Sequence, residues 1–224
     1  MNRRQLLTCL GSEILVIRRP HPIRVAVDGP DSAGKTTLAD ELRDVLLTSG
    51  RDVIRASIDD FQQPREARYR RGELSPEGYY HDSFDYDALE ALLLRPLGPG
   101  GDRVYRIRHF DLDRDCIQDV PGQKADQSAI LILDGVFLHR DRLRSMWEYS
   151  VFVQVEFATV RDRAVVRDAE RFGGASQVMH RYAARYVPGQ QLYYRECHPR
   201  RRADVVVRND DPSNPEFLRP RERS

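Results

Sequence analysis

Apolar and polar positions along this chain fall into short buried runs that alternate with amphipathic stretches. Leu6, Leu7, Leu10, Ile14 and Ile17 recur at three- and four-residue steps and predict a helix over 4–17, ended by Pro20 and Pro22. Ile23-Arg24-Val25-Ala26-Val27 reads as a strand. Thr36 to Thr48 predicts a helix with Leu38, Leu42, Val45 and Leu46 on one face, closed by Gly50. A second strand over Asp52 to Ile58 carries Asp59 and Asp60 at its carboxyl end. Residues 61–81 are polar, aromatic and broken by Pro64, Gly72, Pro76 and Gly78, the pattern of a long functional loop. A helix over Tyr86 to Leu94 precedes the turn-rich run Pro96 to Gly101, and 103–119 read as a hairpin-like insertion. Further strands are expected over Ala129–Leu133, Val151–Val155 and Ala203–Val207. Helices are expected over 159–171 and 176–196, the second interrupted at Pro188-Gly189.

Apolar strands alternating with helices predict an α/β fold whose parallel sheet is buried on both faces. The expected organisation is an N-terminal helix (1–22) packed on one α/β domain (23–210) with a lid at about 159–178, followed by a frayed tail (211–224). Ligands on such sheets bind at the carboxyl ends of the strands. Residues 29–36, Asp59 and Asp134 all fall there.

The run Gly29-Pro30-Asp31-Ser32-Ala33-Gly34-Lys35-Thr36 has the spacing of a phosphate-binding loop between a strand and a helix. Backbone N–H groups of such a loop curl round a β-phosphate, and glycine permits the close approach. Residues 29 to 37, namely Gly29, Asp31, Ser32, Ala33, Gly34, Lys35, Thr36 and Thr37, are the candidates for nucleotide binding. Lys35 reaches the β- and γ-phosphates, the Thr36 hydroxyl ligates Mg²⁺, and the helix N-terminus faces the anion.

Composition sharpens this. Of 36 basic residues only Lys35 and Lys124 are lysine, so a compact ammonium stands at the one position where it is needed. Basic and acidic residues nearly cancel, at a net charge of +1, which gives no support to nonspecific nucleic-acid binding. Cys9, Cys116 and Cys197 lie far apart, an arrangement that argues for a reducing setting and against a zinc site. Leu6 to Leu10 is too short for a signal-peptide core, and no apolar run approaches membrane-spanning length. The expectation is a soluble, cytoplasmic protein with a small-molecule substrate, no nucleic-acid or membrane partner, and self-association left open.

Phosphoryl transfer also needs a metal site and a proton acceptor. Asp134, after the strand Ile130-Leu131-Ile132-Leu133, is the candidate that steers Mg²⁺, although Asp-Gly pairs also end strands as plain turns. Asp59 and Asp60 compete for the role of base, with Asp59 favoured. Arg163, Arg167 and Arg171 recur at four-residue steps on one helical face about 12 Å long, a row suited to a lid over phosphates. Asp162, Asp168 and Glu170 also suit a plain solvated face. Tyr105 and His109 carry no chemistry on their own.

Together these features resemble the uridine kinase and phosphoribulokinase group of P-loop kinases from about Arg24 to Asp210. The resemblance is carried by Val27-Asp28-Gly29 to Thr37, Ile58-Asp59-Asp60-Phe61, Ser83 to Leu89, Leu133-Asp134-Gly135-Val136-Phe137, and Arg167-Asp168 with Arg171; Ala203 to Val207 also fits the group's last strand. The chain departs from the group at Asp60 and Gln62, where Ser and Tyr are usual, at Asp134, where Glu is frequent, and at Tyr80-His81-Asp82, where Phe-Asp-His-Pro is usual. The resemblance implies a P-loop nucleoside triphosphate hydrolase-type three-layer αβα sandwich with a five-stranded parallel sheet and a small lid. It implies ATP- and Mg²⁺-dependent phosphorylation of a ribose 5′-hydroxyl, with Asp59 as catalytic aspartate. It also implies Tyr105 and His109 as contacts to a nucleoside base, Arg167 at the reacting groups, and Arg163 and Arg171 on the nucleotide.

The function expected is a kinase for uridine or cytidine. Pantothenate, nicotinamide riboside or a sugar are alternative acceptors, and an inactive nucleotide-binding regulatory relative is the alternative class. A GTP-dependent switch would need an Asn-Lys-x-Asp motif, which the chain lacks.

Overall fold

The computed structural model describes residues 1–219. In chain order the elements are α1 (Arg3–Val16), β1 (Ile23–Asp28), α2 (Lys35–Leu47), β2 (Val53–Ser57), α3 (Arg65–Tyr69), α4 (Pro76–Asp82) and α5 (Tyr86–Leu89). Short ribbon strands β3 (Val104–Tyr105), β4 (Phe110–Asp111), β5 (Cys116–Ile117) and β6 (Gln123–Lys124) follow. Then come β7 (Ile130–Gly135), β8 (Tyr149–Gln154), α6 (Phe157–Phe172), α7 (Ala175–Arg181), α8 (Val187–Cys197), α9 (Pro199–Arg202), β9 (Val205–Arg208) and β10 (Glu216–Leu218).

The sheet order is β10-β9-β8-β1-β7-β2. The five strands from β9 to β2 are parallel, as the sequence pattern implies. The sixth corrects an expectation. Residues 211–224 read as a frayed tail, yet Glu216, Phe217 and Leu218 pair antiparallel with Arg208, Val207 and Val206. The edge of β9 offered unpaired backbone groups, and the returning chain satisfies them. The part of that tail from 220 to 224 lies outside the described residues.

Alternation along the buried strands divides the core into two layers. Val25, Val27, Ile130 and Ile132 face α1 and α2, whereas Ala26, Leu131 and Leu133 face the aromatic layer of Tyr79, Tyr80, Phe84 and Phe137. Helix α1 docks through Leu6, Leu10 and Ile14 onto Leu38, Leu42 and Leu46 of α2. Its Gly11 allows close approach, since a Cβ there would lie 3.0 Å from Val45 Cγ1.

Two expected helices change register rather than break. The Tyr86–Leu94 helix ends in a π-turn over Glu90–Leu94. The expected interruption at Pro188-Gly189 is instead a π-turn over Tyr182–Tyr186, with the Val187 N–H bonded to Tyr182 O. Pro188 then sits in the first turn of α8, where a missing N–H costs nothing. Asp59 and Asp60 leave the strand as well. Residues Ile58–Phe61 form a 3₁₀ turn that starts with Ser57 Oγ accepting from the Asp59 N–H.

Leu10 is fully buried between α1 and the body. Leu10→Ala is expected to lower unfolding stability by about 2–5 kcal/mol, measured by urea denaturation.

Candidate active site

The segment between β1 and α2 turns back on itself through backbone that only particular residues allow. A Cβ on Gly29 would lie 2.4 Å from Val153 O, so β8 requires glycine there. Gly34 caps α2 at φ 86°, in the left-handed region. The loop is anchored on three sides. Asn209 Nδ2, just after β9, donates to Ala33 O at 2.8 Å. Tyr79 Oη and Gln190 Nε2, from α4 and α8, both donate to Asp31 Oδ2 at 2.6 Å. Beneath the loop, the fully buried Asp28 accepts from the Gly29 N–H, from His139 Nδ1 at 2.6 Å and from Tyr193 Oη. Burial first, then the Asp28 charge, raises the Tyr193 phenol well above its ordinary pKa, so it stays a donor.

A cleft of about 410 Å³ opens along the carboxyl ends of the strands. Asp31, Lys35, Thr36, Asp59, Asp134, Arg167 and Arg171 all line it. These seven expected site residues, drawn from five segments of the chain, share one surface. Gly29, Ser32, Ala33 and Gly34 flank these residues in the loop and Thr37 follows them in α2, but none of the five lines the cleft itself.

Thr36 Oγ1 donates to Asp134 Oδ2 at 2.7 Å. The other oxygen, Oδ1, accepts from Arg55 at 3.0 Å, and Arg55 is itself held by Asp40 at 2.8 Å. A hydroxyl and a carboxylate side by side are hard oxygen donors, which fits Mg²⁺. Among the described residues no cluster of three or more His, Cys, Asp or Glu forms a cage. Mg²⁺ suits that arrangement, because it keeps waters and takes ligands from substrate phosphates. Lys35 Nζ, buried at the base of the loop, donates to Pro30 O at 2.7 Å.

Asp59 and Asp60 are separated by the 3₁₀ turn. Asp59 opens onto the cleft, while Asp60 turns to Arg108 at 3.3 Å. Asp59 is exposed on its cleft side but crowded by protein elsewhere. That desolvation, followed by the charge of Asp31 and then Asp134 and Asp60, outweighs Lys35 and raises its pKa to about 6. Desolvation also raises Asp60, with Arg108 opposing.

The arginine row divides. Arg167 donates to both Asp168 oxygens, at 2.8 and 2.9 Å, and to Tyr182 Oη at 3.1 Å. Burial works against the Asp168 carboxylate, but Arg167 and Tyr182 prevail and hold its pKa below the usual range. Arg171 lies further along the same wall. Arg163 departs from expectation. It donates to the carbonyls of Asn209 and Asp210, both at 2.8 Å, and lines no part of the cleft. The segment just after β9 takes its guanidinium.

Two further expectations are corrected. Tyr105 is buried in ribbon strand β3, where its hydroxyl donates to Gln123 at 3.1 Å, beside a separate hollow near Asp52. His109 sits behind the 3₁₀ turn, with its N–H on Asp60 O and Nε2 3.8 Å from Asp85. Neither lines the cleft: the β3–β6 ribbon lies beside β2, and the β4–β5 ribbon sends Leu112, not His109, to the cleft wall. Asp82 is likewise committed to Arg70 and Arg71. The wall expected from them comes instead from Arg68, Tyr69, Tyr79, Phe84, Arg185 and Tyr186. No local sequence signal marks these residues. They meet only because α3, α4 and the π-turn before α8 converge.

No family model matches the chain. Uridine-cytidine kinase B of Dictyostelium discoideum is 26% identical over 189 residues, covering 84% of this chain and 74% of that protein. Among solved structures, one described as a possible uridine kinase from Bacillus stearothermophilus superposes with a TM-score of 0.71 at 24% identity, over 91% of this chain and 97% of that one. D-glycerate 3-kinase from Cryptococcus neoformans superposes with a TM-score of 0.58 at 14% identity, over 96% and 99% of the two chains. In sequence the chain is similar to a uridine-cytidine kinase, and in fold it is similar to solved uridine kinase-like and glycerate kinase structures.

Proposed function

We propose that this protein is an ATP- and Mg²⁺-dependent kinase that transfers a γ-phosphoryl group to the hydroxyl of a small molecule. The observation that carries the reading is the sharing of one cleft by Asp59, Lys35 and the Thr36–Asp134 pair. That is the set of groups that in-line phosphoryl transfer uses.

In this reading the loop amides and the α2 N-terminus hold the polyphosphate, and Lys35 turns from Pro30 O to the β- and γ-oxygens. Thr36 and Asp134 would hold Mg²⁺, which neutralises phosphate charge when bound. Arg55 keeps the Asp134 carboxylate aimed at Thr36. Asp59 accepts the proton of the attacking hydroxyl, and its raised pKa places it nearer neutrality, where an acceptor works best. Arg167 and Arg171 meet charge that develops on the transferred group. The glycines Gly173 and Gly174, at φ 81° and 119°, join α6 to α7 with open space around them and allow that wall to close.

A 5′-hydroxyl of uridine or cytidine as the acceptor rests on the likeness to Uridine-cytidine kinase B. Tyr105 and His109 do not support it, since neither lines the cleft. No helix among the described residues is long and apolar enough to cross a membrane.

Asp59→Asn is expected to leave ATP affinity within about twofold while turnover falls roughly 10²–10⁴-fold, read by calorimetry and coupled ADP release. In the unsubstituted protein, log kcat/KM is expected to fall with unit slope below about pH 6, as Asp59 takes up a proton. A profile flat down to pH 5 would remove Asp59 as base. Lys35→Ala is expected to abolish nucleotide binding and turnover together. Normal rates in that variant would overturn the phosphate assignment.

The raised pKa has a stability consequence. Above pH 6 the ionised Asp59 weighs against the folded state; well below the unfolded value of 3.8, where it is protonated in both states, the penalty vanishes. Asp59→Asn is therefore expected to gain about 1 kcal/mol at pH 8, after allowance for solvent screening on the cleft side, and almost nothing at about pH 2.5. Paired urea denaturations at the two pH values measure it.

A further inference from the structure

The cleft has a second cationic wall that the phosphate chemistry does not employ. It is built by α3, α4 and the π-turn before α8. Arg185 is only 3% exposed, yet its hydrogen bonds go to carbonyl oxygens, those of Glu73, Ser75 and Arg68. Among the described residues it has no carboxylate partner. The nearby Glu73 carboxylate is engaged with Arg181. Arg68 is similarly placed. Its side chain is 11% exposed, its ion pair is a 3.3 Å contact to the solvent-facing Asp115, and its Nε is buried without a partner. The ring of Tyr69 lies between them, 5.4 Å from the Arg68 guanidinium and 5.0 Å from that of Arg185. Arg68, Tyr69 and Arg185 all line the cleft.

A buried guanidinium without a counter-charge is costly, and ring faces and carbonyl dipoles offset only part of that cost. Such a pair is expected where a ligand completes it. Planar N–H forks suit a carboxylate or phosphoryl group, while a neutral sugar or base would leave Arg185 unmatched and Arg68 with only the solvent-facing Asp115. The nucleotide does not need this wall. Its phosphates are provided for by the loop amides, Lys35, Arg167 and Arg171.

We propose that the acceptor is an anion: a small hydroxylated molecule whose carboxylate or phosphoryl group is held by Arg68 and Arg185 while its hydroxyl points at Asp59. This rests on reading the cleft as a kinase site and names the acceptor class for it. In the reaction the acceptor oxygen forms a bond to the γ-phosphorus, and the bond from that phosphorus to the β–γ bridging oxygen breaks. The hydroxyl proton passes to Asp59, and ADP leaves. The anionic group takes no part in bond changes. It orients the hydroxyl and excludes acceptors that lack the charge.

Calorimetry on the full chain loaded with Mg²⁺ and a non-hydrolysable ATP analogue tests this with the phosphate loop already filled. The titrants are D-glycerate as hydroxy acid, glucose 6-phosphate as sugar phosphate, inorganic phosphate, and uridine and glucose as neutral probes. At least one anion is expected to bind at least tenfold more tightly than either neutral probe. Arg68→Gln is expected to weaken it about tenfold or more while analogue affinity stays within twofold. Preference for the hydroxy acid or for the sugar phosphate then identifies the anionic group. The proposal is overturned if uridine or glucose binds as tightly as the anions, or if Arg68→Gln leaves the anions unaffected. Should the analogue itself fail to bind, the kinase reading falls, and the same titrations on nucleotide-free protein still decide the cationic wall. Arg185→Lys, which keeps the charge but loses the fork, is expected to weaken anion binding in a folded protein.

Discussion

The hydrogen bond from Thr36 to Asp134 is the contact on which the site depends. It links the first turn of α2 to the carboxyl end of β7 and places hydroxyl and carboxylate oxygens side by side at a helix N-terminus. It exists because β1 and β7 pair in register, with Val27 opposite Asp134, so that the loop leaving β1 passes beside that carboxylate. Arg55 on β2, opposite Ile132, reaches the other oxygen. Three adjacent strands thus contribute to the aim of one side chain. A shift of register by one residue would turn Asp134 to the opposite face of the sheet.

Around that contact the structure sets like charges close together. Asp31, Asp59 and Asp134 share the cleft with one ammonium, and burial first, then those like charges, raises the pKa of Asp59. The arrangement disfavours the ionised form of Asp59 and gives a carboxyl suited to proton exchange near neutrality. The neighbouring carboxylates do not behave alike. Asp168 is matched by Arg167 and Tyr182, and Asp28 by His139, Tyr193 and a backbone amide. Those two hold structure in place, whereas Asp59 opens onto the cleft with a raised pKa. On another wall of the cleft, Arg185 has no carboxylate partner among the described residues, and Arg68 has only the solvent-facing Asp115.

Much of the frame was legible from local pattern. The loop at 29–36, the buried strands and the aspartates at their ends announce themselves through spacing that short-range physics imposes: a glycine where β8 approaches, apolar runs where both faces are covered, a carboxylate where a strand stops. The misreadings share a cause. Tyr105 and His109 lie in two short ribbons whose position depends on where the insertion folds back along β2. Arg163 shares a helical face with Arg167 on a straight wheel, yet the segment just after β9 takes its guanidinium. Glu216 to Leu218 look like a polar tail until the open edge of β9 is considered.

The sequence by itself determined the class of chemistry. A phosphate-loop pattern between strand and helix, a lysine within it in an arginine-rich chain, and acidic residues at strand ends need only neighbours along the chain to be meaningful. Only the tertiary structure decided which aspartate faces the cleft, which arginines stand free of carboxylates, and which aromatic residues wall the acceptor side. The contacts that fix the site join residues as far as 176 positions apart, as Ala33 and Asn209 are. They turn on burial and on the distances between charges, quantities that a linear order of residues does not contain.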